Sequence, residues 1–181
     1  MSGQIEFQFY PLILMSVVAA GTDLARGRIY NWLTLPAIAL GLIGNLFFLG
    51  LFGLESSFLG VVCALVLYGW MYLFRAMGAG DVKFLMALGA WGGWRYCAHT
   101  GVLALVLGGA LALIILVVSG RLQLFLRRMY TFFLTLFVKE LELDLPKLDQ
   151  KLTMPFGVPI AIAAIWVEIS DPFVRWGVTL W

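Results

Sequence analysis

Leu73-Phe74-Arg75-Ala76-Met77-Gly78-Ala79-Gly80-Asp81-Val82-Lys83-Phe84-Leu85 sets a glycine pair, a carboxylate and two cations between two apolar runs. Upstream, residues 58–74 are almost wholly apolar; downstream, the run resumes and reaches Trp94. Between segments this hydrophobic, a polar interruption reads as the junction of two membrane helices, since irregular backbone is tolerated at membrane depth only where it is buried in protein or lines a water-filled cavity. The rest of the chain repeats the pattern. Apolar runs cover residues 7–25, 32–52, 58–74, 81–94, 101–119 and 154–169, and at roughly 20 residues per crossing they predict about six transmembrane helices, the fourth of them short.

Composition agrees. Of 181 residues, 62% are apolar and 12% charged, with a mean hydropathy of +0.98, against roughly 25% charged in a soluble domain. A water-soluble globule is excluded, and a single membrane-embedded domain over residues 1–181 is expected: an all-α, polytopic helix bundle. The net charge of +2 and the lack of a basic tail exclude a nucleic-acid footprint. Cys63 and Cys97 form no C-x-x-C pair and read as inert buried thiols. Residues up to Tyr10 carry Glu6 and no Lys or Arg, so the basic start of a cleavable signal peptide is missing and the first apolar run is expected to be retained. The ten residues Met129 to Val138, between Arg127, Arg128, Lys139 and Glu140, are too short to span. They suit an amphipathic segment lying in the interface between helices five and six. The tail after Asp171-Pro172, with Arg175, Trp176 and Trp181, reads as an aromatic interfacial anchor.

Cations set the orientation. Arg26, Arg28, Arg75, Lys83, Arg121, Arg127, Arg128, Lys139, Lys147 and Lys151 fall on one side of the six-helix scheme, and only Arg95 and Arg175 on the other. The first side is expected to be cytoplasmic, with both termini outside the inner (plasma) membrane.

Ionisable groups within apolar spans are costly and mark functional sites. Two carboxylates qualify, Asp23 near the end of the first run and Asp81 at the start of the fourth. Each lies ~20 Å along its helix from the outer aromatic anchor, which puts both toward the cytoplasmic side at a shared level. Two carboxylates in a site of low dielectric cannot both ionise cheaply; one holds a proton while the other accepts one, which makes a general acid/base pair. The competing reading pairs Asp23 with Arg26 or Arg28, and Asp81 with Lys83. Gly78 and Gly80 favour the catalytic reading, because backbone shapes closed to other residues would let the chain turn inward and open a helix on Asp81. A different class remains open on these residues: a small channel or transporter using the two aspartates as a cation or proton site, although the sequence shows no inverted repeat.

Asp23 is followed by Arg28-Ile29-Tyr30-Asn31-Trp32-Leu33-Thr34, then come Gly78-Ala79-Gly80-Asp81-Val82-Lys83 and Met154-Pro155-Phe156-Gly157-Val158-Pro159. In this order the three motifs resemble the type IV prepilin peptidases, which are GxGD membrane aspartic proteases. The resemblance covers all six expected spans. It implies that Asp23 and Asp81 are the catalytic pair and that the substrate is a prepilin or pseudopilin precursor, cut after a leader glycine at the cytoplasmic end of its hydrophobic helix. Lipid is the other partner; no metal, cofactor or covalent intermediate is implied. Where the family commonly has Ile-Pro-Asn, this chain reads Ile29-Tyr30-Asn31, which loses a preset turn and keeps the Asn. Larger members carry an N-terminal extension with two C-x-x-C pairs and N-methylate the trimmed pilin. This chain is similar to the short, peptidase-only branch of Flp-type or tight-adherence pili, and the archaeal preflagellin peptidases are also similar. Cleavage without methylation is the expectation.

Supporting residues carry two readings each. Lys83 tunes the dyad or contacts substrate, or else snorkels to the interface; Asn31 braces the loop after Asp23, or else caps the second helix. Pro155, Phe156 and Gly157 shape the start of the last helix beside the site, or else simply initiate it. Arg26 and Arg28 read as topology markers, His99 as an outer loop residue, and Gly89 and Gly93 as a G-x-x-x-G packing pair.

Overall fold

The computed structural model describes residues 2–74, 77–120, 122–124, 126–127, 130–131 and 156–170. The fold is all-α: α1 (Ser2–Arg26), α2 (Asn31–Leu73), α3 (Ala79–Val118) and α4 (Gly157–Ser170). Residues 1–108 together with 155–181 make one compact unit, and residues 109–154 a second. In the second unit α3 runs out at Val118, and the chain turns through Ser119 and Gly120, whose φ is 66°. The segment expected to lie in the interface, Pro155 and the tail from Asp171 fall outside the described residues, apart from Tyr130 and Thr131, which are helical.

Among the described residues the apolar runs are helical as expected, apart from a residue or two at their ends, but the links between them differ. Loops were anticipated between the second and third runs, around Glu55, and between the fourth and fifth, around His99; both stretches are helical. The breaks fall instead at single glycines, Gly50 (φ 68°, ψ −153°) in α2 and Gly93 (φ 80°, ψ −178°) in α3. A positive φ costs glycine little and other residues much, so one residue suffices to end one helical arm and start the next. The chain doubles back at each. A Cβ on Gly53 would collide with the carbonyl of Asn45, which in a straight helix lies ~12 Å away along the axis. Cys97 Sγ sits 3.8 Å from the Leu85 carbonyl oxygen, a pair ~18 Å apart in a straight helix. His99 is consequently a buried helical residue rather than a loop residue.

The arm that carries Asp81, residues 79–92, lies within the bundle. Phe84, Leu85, Ala87, Leu88 and Ala90 are wholly buried. Both arms of α2 close on it through glycines: a Cβ on Gly41 would meet the Ala90 backbone, and one on Gly60 the Gly89 backbone. Small residues let helix backbones approach where lipid supplies no hydrophobic drive for association. Gly89 thus packs as expected of G-x-x-x-G, whereas Gly93 serves as the break. α1 packs mainly on α4 and less on α2.

The distribution of polarity is that of a membrane bundle. Phe47 and Phe52 are 86% and 80% exposed, an outward apolar surface that water would penalise and lipid accepts. Inside lie Ser16, Thr34, Asn45, Ser57 and Thr100. Asn45 Nδ2 donates to the carbonyls of Gly41 (3.1 Å), Ala90 (3.0 Å) and Trp91 (3.2 Å), and its Oδ1 accepts from Gln8 Nε2 at 2.6 Å. One amide therefore joins α1, α2 and α3. Gln8–Arg26, Asn31–Leu73 and Ala79–Val118 are each long and apolar enough to cross a membrane, and α4 is a shorter apolar helix.

Candidate active site

α1 ends because Gly27 adopts φ 62° and its N–H bonds the Asp23 carbonyl at 2.7 Å, a left-handed C-terminal stop. That stop leaves Asp23 in the last helical turn. Asp23 is 5% exposed, and its Oδ2 accepts the Gly157 N–H at 2.8 Å. Gly157 opens α4, so the carboxylate occupies the end of a helix whose first N–H groups have no partner within the helix. A Cβ on Gly157 would lie 2.8 Å from that same oxygen; the glycine is what admits Asp23 to the helix end. Phe156 presses its ring on Gly108, where no side chain would fit.

Asp81 is in the first turn of α3. Its backbone N–H donates to the Gly78 carbonyl at 3.1 Å while its Oδ2 accepts the Gly78 N–H at 3.1 Å. This reciprocal pair is the acidic half of a capping box. The helix opens at Ala79 and not on Asp81 itself. Neither Gly78 nor Gly80 has a positive φ, which corrects the conformational reason expected for them. What they supply is room. A Cβ on Gly78 would lie 3.0 Å from Asp81 Oδ2, and one on Gly80 3.2 Å from the Ile29 carbonyl oxygen.

Asp23 and Asp81 flank one residue, Ile29, which lies against Gly157, the residue that holds Asp23, and against Gly80, the residue before Asp81; both carboxylates thus sit at the end of the bundle where α1 stops and α2, α3 and α4 begin. Of the cations that could have neutralised them, Arg26 and Lys83 have other partners. Arg26 Nη1 donates to the Tyr30 hydroxyl at 2.9 Å with its guanidinium over the Tyr30 ring, and Lys83 Nζ donates to Asn31 Oδ1 at 2.9 Å. Asn31 does not cap α2; Tyr30 holds the cap position with φ −84°, within reach of the angle that a proline would impose. Tyr30, the position at which the resemblance implies proline, thus keeps a similar backbone, braced by Arg26.

Sequence reasoning singled out both carboxylates, the glycines and Asn31, and missed Ile29. Ile29 is buried in the α1–α2 loop, against the helix end that holds Asp23 and the turn that carries Asp81. An isoleucine flanked by Arg28 and Tyr30 was the available signal, since an isolated β-branched apolar residue in a polar loop needs something to cover it. Cys97 is buried and Cys63 half-buried; both are free thiols. Among the described residues no group of three or more His, Cys, Asp or Glu side chains gathers to hold a metal ion. Chemically, the arrangement offers two neighbouring carboxylates, each aligned by backbone N–H groups, and so a pair able to hold one proton and accept another.

Residues 10–113 match the model of the type IV leader peptidase family. The chain is 38% identical to the prepilin leader peptidase/N-methyltransferase of Stutzerimonas stutzeri over 123 residues, covering 64% of this chain and 40% of that protein. The Pseudomonas aeruginosa protein of the same name gives the same identity and coverage. The one from Aeromonas hydrophila is 27% identical over 179 residues, 93% of this chain and 52% of that protein. This chain spans about half or less of the length of these relatives. No solved structure matches it. Its place in the type IV leader peptidase family follows from the match over more than half its length.

Proposed function

We propose that this protein is an aspartic endopeptidase of the inner membrane that removes the leader of type IV prepilin-like precursors. The observation that carries the reading is the placement of Asp23 and Asp81 on either side of Ile29 at one end of the bundle, from positions more than fifty residues apart in sequence. In the reaction, water lies between the carboxylates. The ionised aspartate takes a proton from it as its oxygen attacks the peptide carbonyl, and the protonated aspartate donates to the carbonyl oxygen; proton transfer to the amine then completes C–N cleavage. The arms of α1 to α4 supply about six crossings, with both termini outside and the dyad toward the cytoplasm. Co-expression with candidate prepilins tests the function. A downward mobility shift that depends on this protein is expected.

The orientation has its own test. With Cys63 and Cys97 removed, a cysteine replacing Glu55 is expected to react with an impermeant maleimide in intact cells, and one replacing Gln123 only after permeabilisation. The reverse pattern would overturn the orientation.

The bond from Lys83 to Asn31 gives a further prediction. It ties the loop after Asp23 to the first turn of α3, so Lys83→Met and Asn31→Ala are each expected to lower kcat/KM roughly fivefold, with no additional loss in the double variant. An ammonium acting on the dyad through its charge predicts otherwise: Lys83→Met would move the pH profile of cleavage while Asn31→Ala left it in place. Steady-state rates across pH for the three variants decide between them.

A further inference from the structure

We propose that Ile29 is a specificity-determining residue, limiting the substrate side chain beside the scissile bond to the smallest sizes; this deepens the peptidase reading and rests on it. Two spaces define its position. A Cβ on Gly157 would lie 2.8 Å from Ile29 Cδ1 and 2.8 Å from Asp23 Oδ2, so these two atoms border one space too small for a methyl group. A Cβ on Gly80, the residue before Asp81, would lie 3.2 Å from the Ile29 carbonyl oxygen and 3.3 Å from its Cβ. Ile29 therefore fills the gap against the helix end that holds Asp23 and against the turn that carries Asp81. It is 9% exposed.

The isoleucine is not free to yield. Its χ1 is restricted by β-branching, and its loop is pinned on both sides, by Arg26 on Tyr30 and by Lys83 on Asn31, each at 2.9 Å. A peptide undergoing attack must bring its carbonyl within hydrogen-bond reach of the carboxylates. The residue flanking that carbonyl then lies against Ile29, and even a methyl side chain meets atoms already in contact with backbone. The size filter is steric and local.

The test measures kcat/KM of the purified full chain on synthetic precursors with glycine, alanine or valine before the scissile bond. Wild type is expected to cut the glycine precursor at least ~10-fold better than the alanine one. Ile29→Ala should raise the alanine-to-glycine ratio by about tenfold, Ile29→Val by less, and Ile29→Phe should slow even the glycine precursor. Ile29→Val removes only the terminal methyl and keeps the comparison alive should Ile29→Ala fail to fold. A purely structural role would change all precursors alike. An unchanged ratio in both smaller variants, or a wild type indifferent to the alanine, overturns the assignment. Failure of the wild type to cut any precursor overturns the peptidase reading instead.

Discussion

Asp23→Asn and Asp81→Asn are each expected to lower cleavage of a prepilin-type precursor by ~10³-fold or more, the loss typical of removing a general acid or base that also orients the water. Asparagine is nearly isosteric with aspartate, and its side-chain oxygen can still accept the Gly157 or Gly78 N–H that orients each carboxylate. Folding and membrane insertion should survive. What is lost is the exchange of a proton, and because the proposed mechanism uses the pair in a single step, the double variant should be scarcely worse than either single one. Rates from purified protein in proteoliposomes, with a synthetic precursor, decide the matter. The same vesicles separate this mechanism from a channel: a channel predicts no proteolysis by the wild type and an ion flux that either substitution reduces.

The largest stability effect is expected where two backbones touch. A Cβ on Gly89 would fall on the carbonyl of Gly60, and one on Gly60 on the carbonyl of Gly89. A rotamer change cannot relieve a collision between main chains, so Gly89→Val must push the second arm of α2 away from the arm carrying Asp81. Overpacking of this kind costs about 3 kcal/mol. Thermal denaturation in detergent should show Gly89→Val strongly destabilised, while Gly109→Ala, at an exposed position with nothing within 4 Å of the added methyl, should be close to wild type. Gly60→Ala should behave like Gly89→Val, and a normal melting temperature for both would show that the helices do not cross there.

Hydropathy along the chain was enough to establish the helical class and the apolar runs, because burying an unpaired backbone in lipid leaves helices as the economical solution for such segments. The two carboxylates were equally legible, since an acidic residue beside a long apolar run stands out by its cost. The motifs around Asp23, Asp81 and Gly157 also carried the family, which the match over residues 10–113 established. What those motifs did not disclose was why their glycines are there. Gly78, Gly80 and Gly157 make room for a carboxylate or for Ile29, and only packing reveals which neighbour needs the space. Gly50 and Gly93 are the converse case: nothing local distinguishes them from the other glycines of α2 and α3, yet they take positive φ and turn the chain back inside runs expected to be continuous, while the expected loops are helical. The Gly157 to Asp23 bond joins residues 134 apart, and the Lys83 to Asn31 bond joins residues 52 apart. Hydrophobic pattern and helix signals are properties of neighbouring residues, so they locate helices and costly side chains; which helix ends meet depends on how backbones can approach across the bundle, and that was decided by the tertiary structure alone.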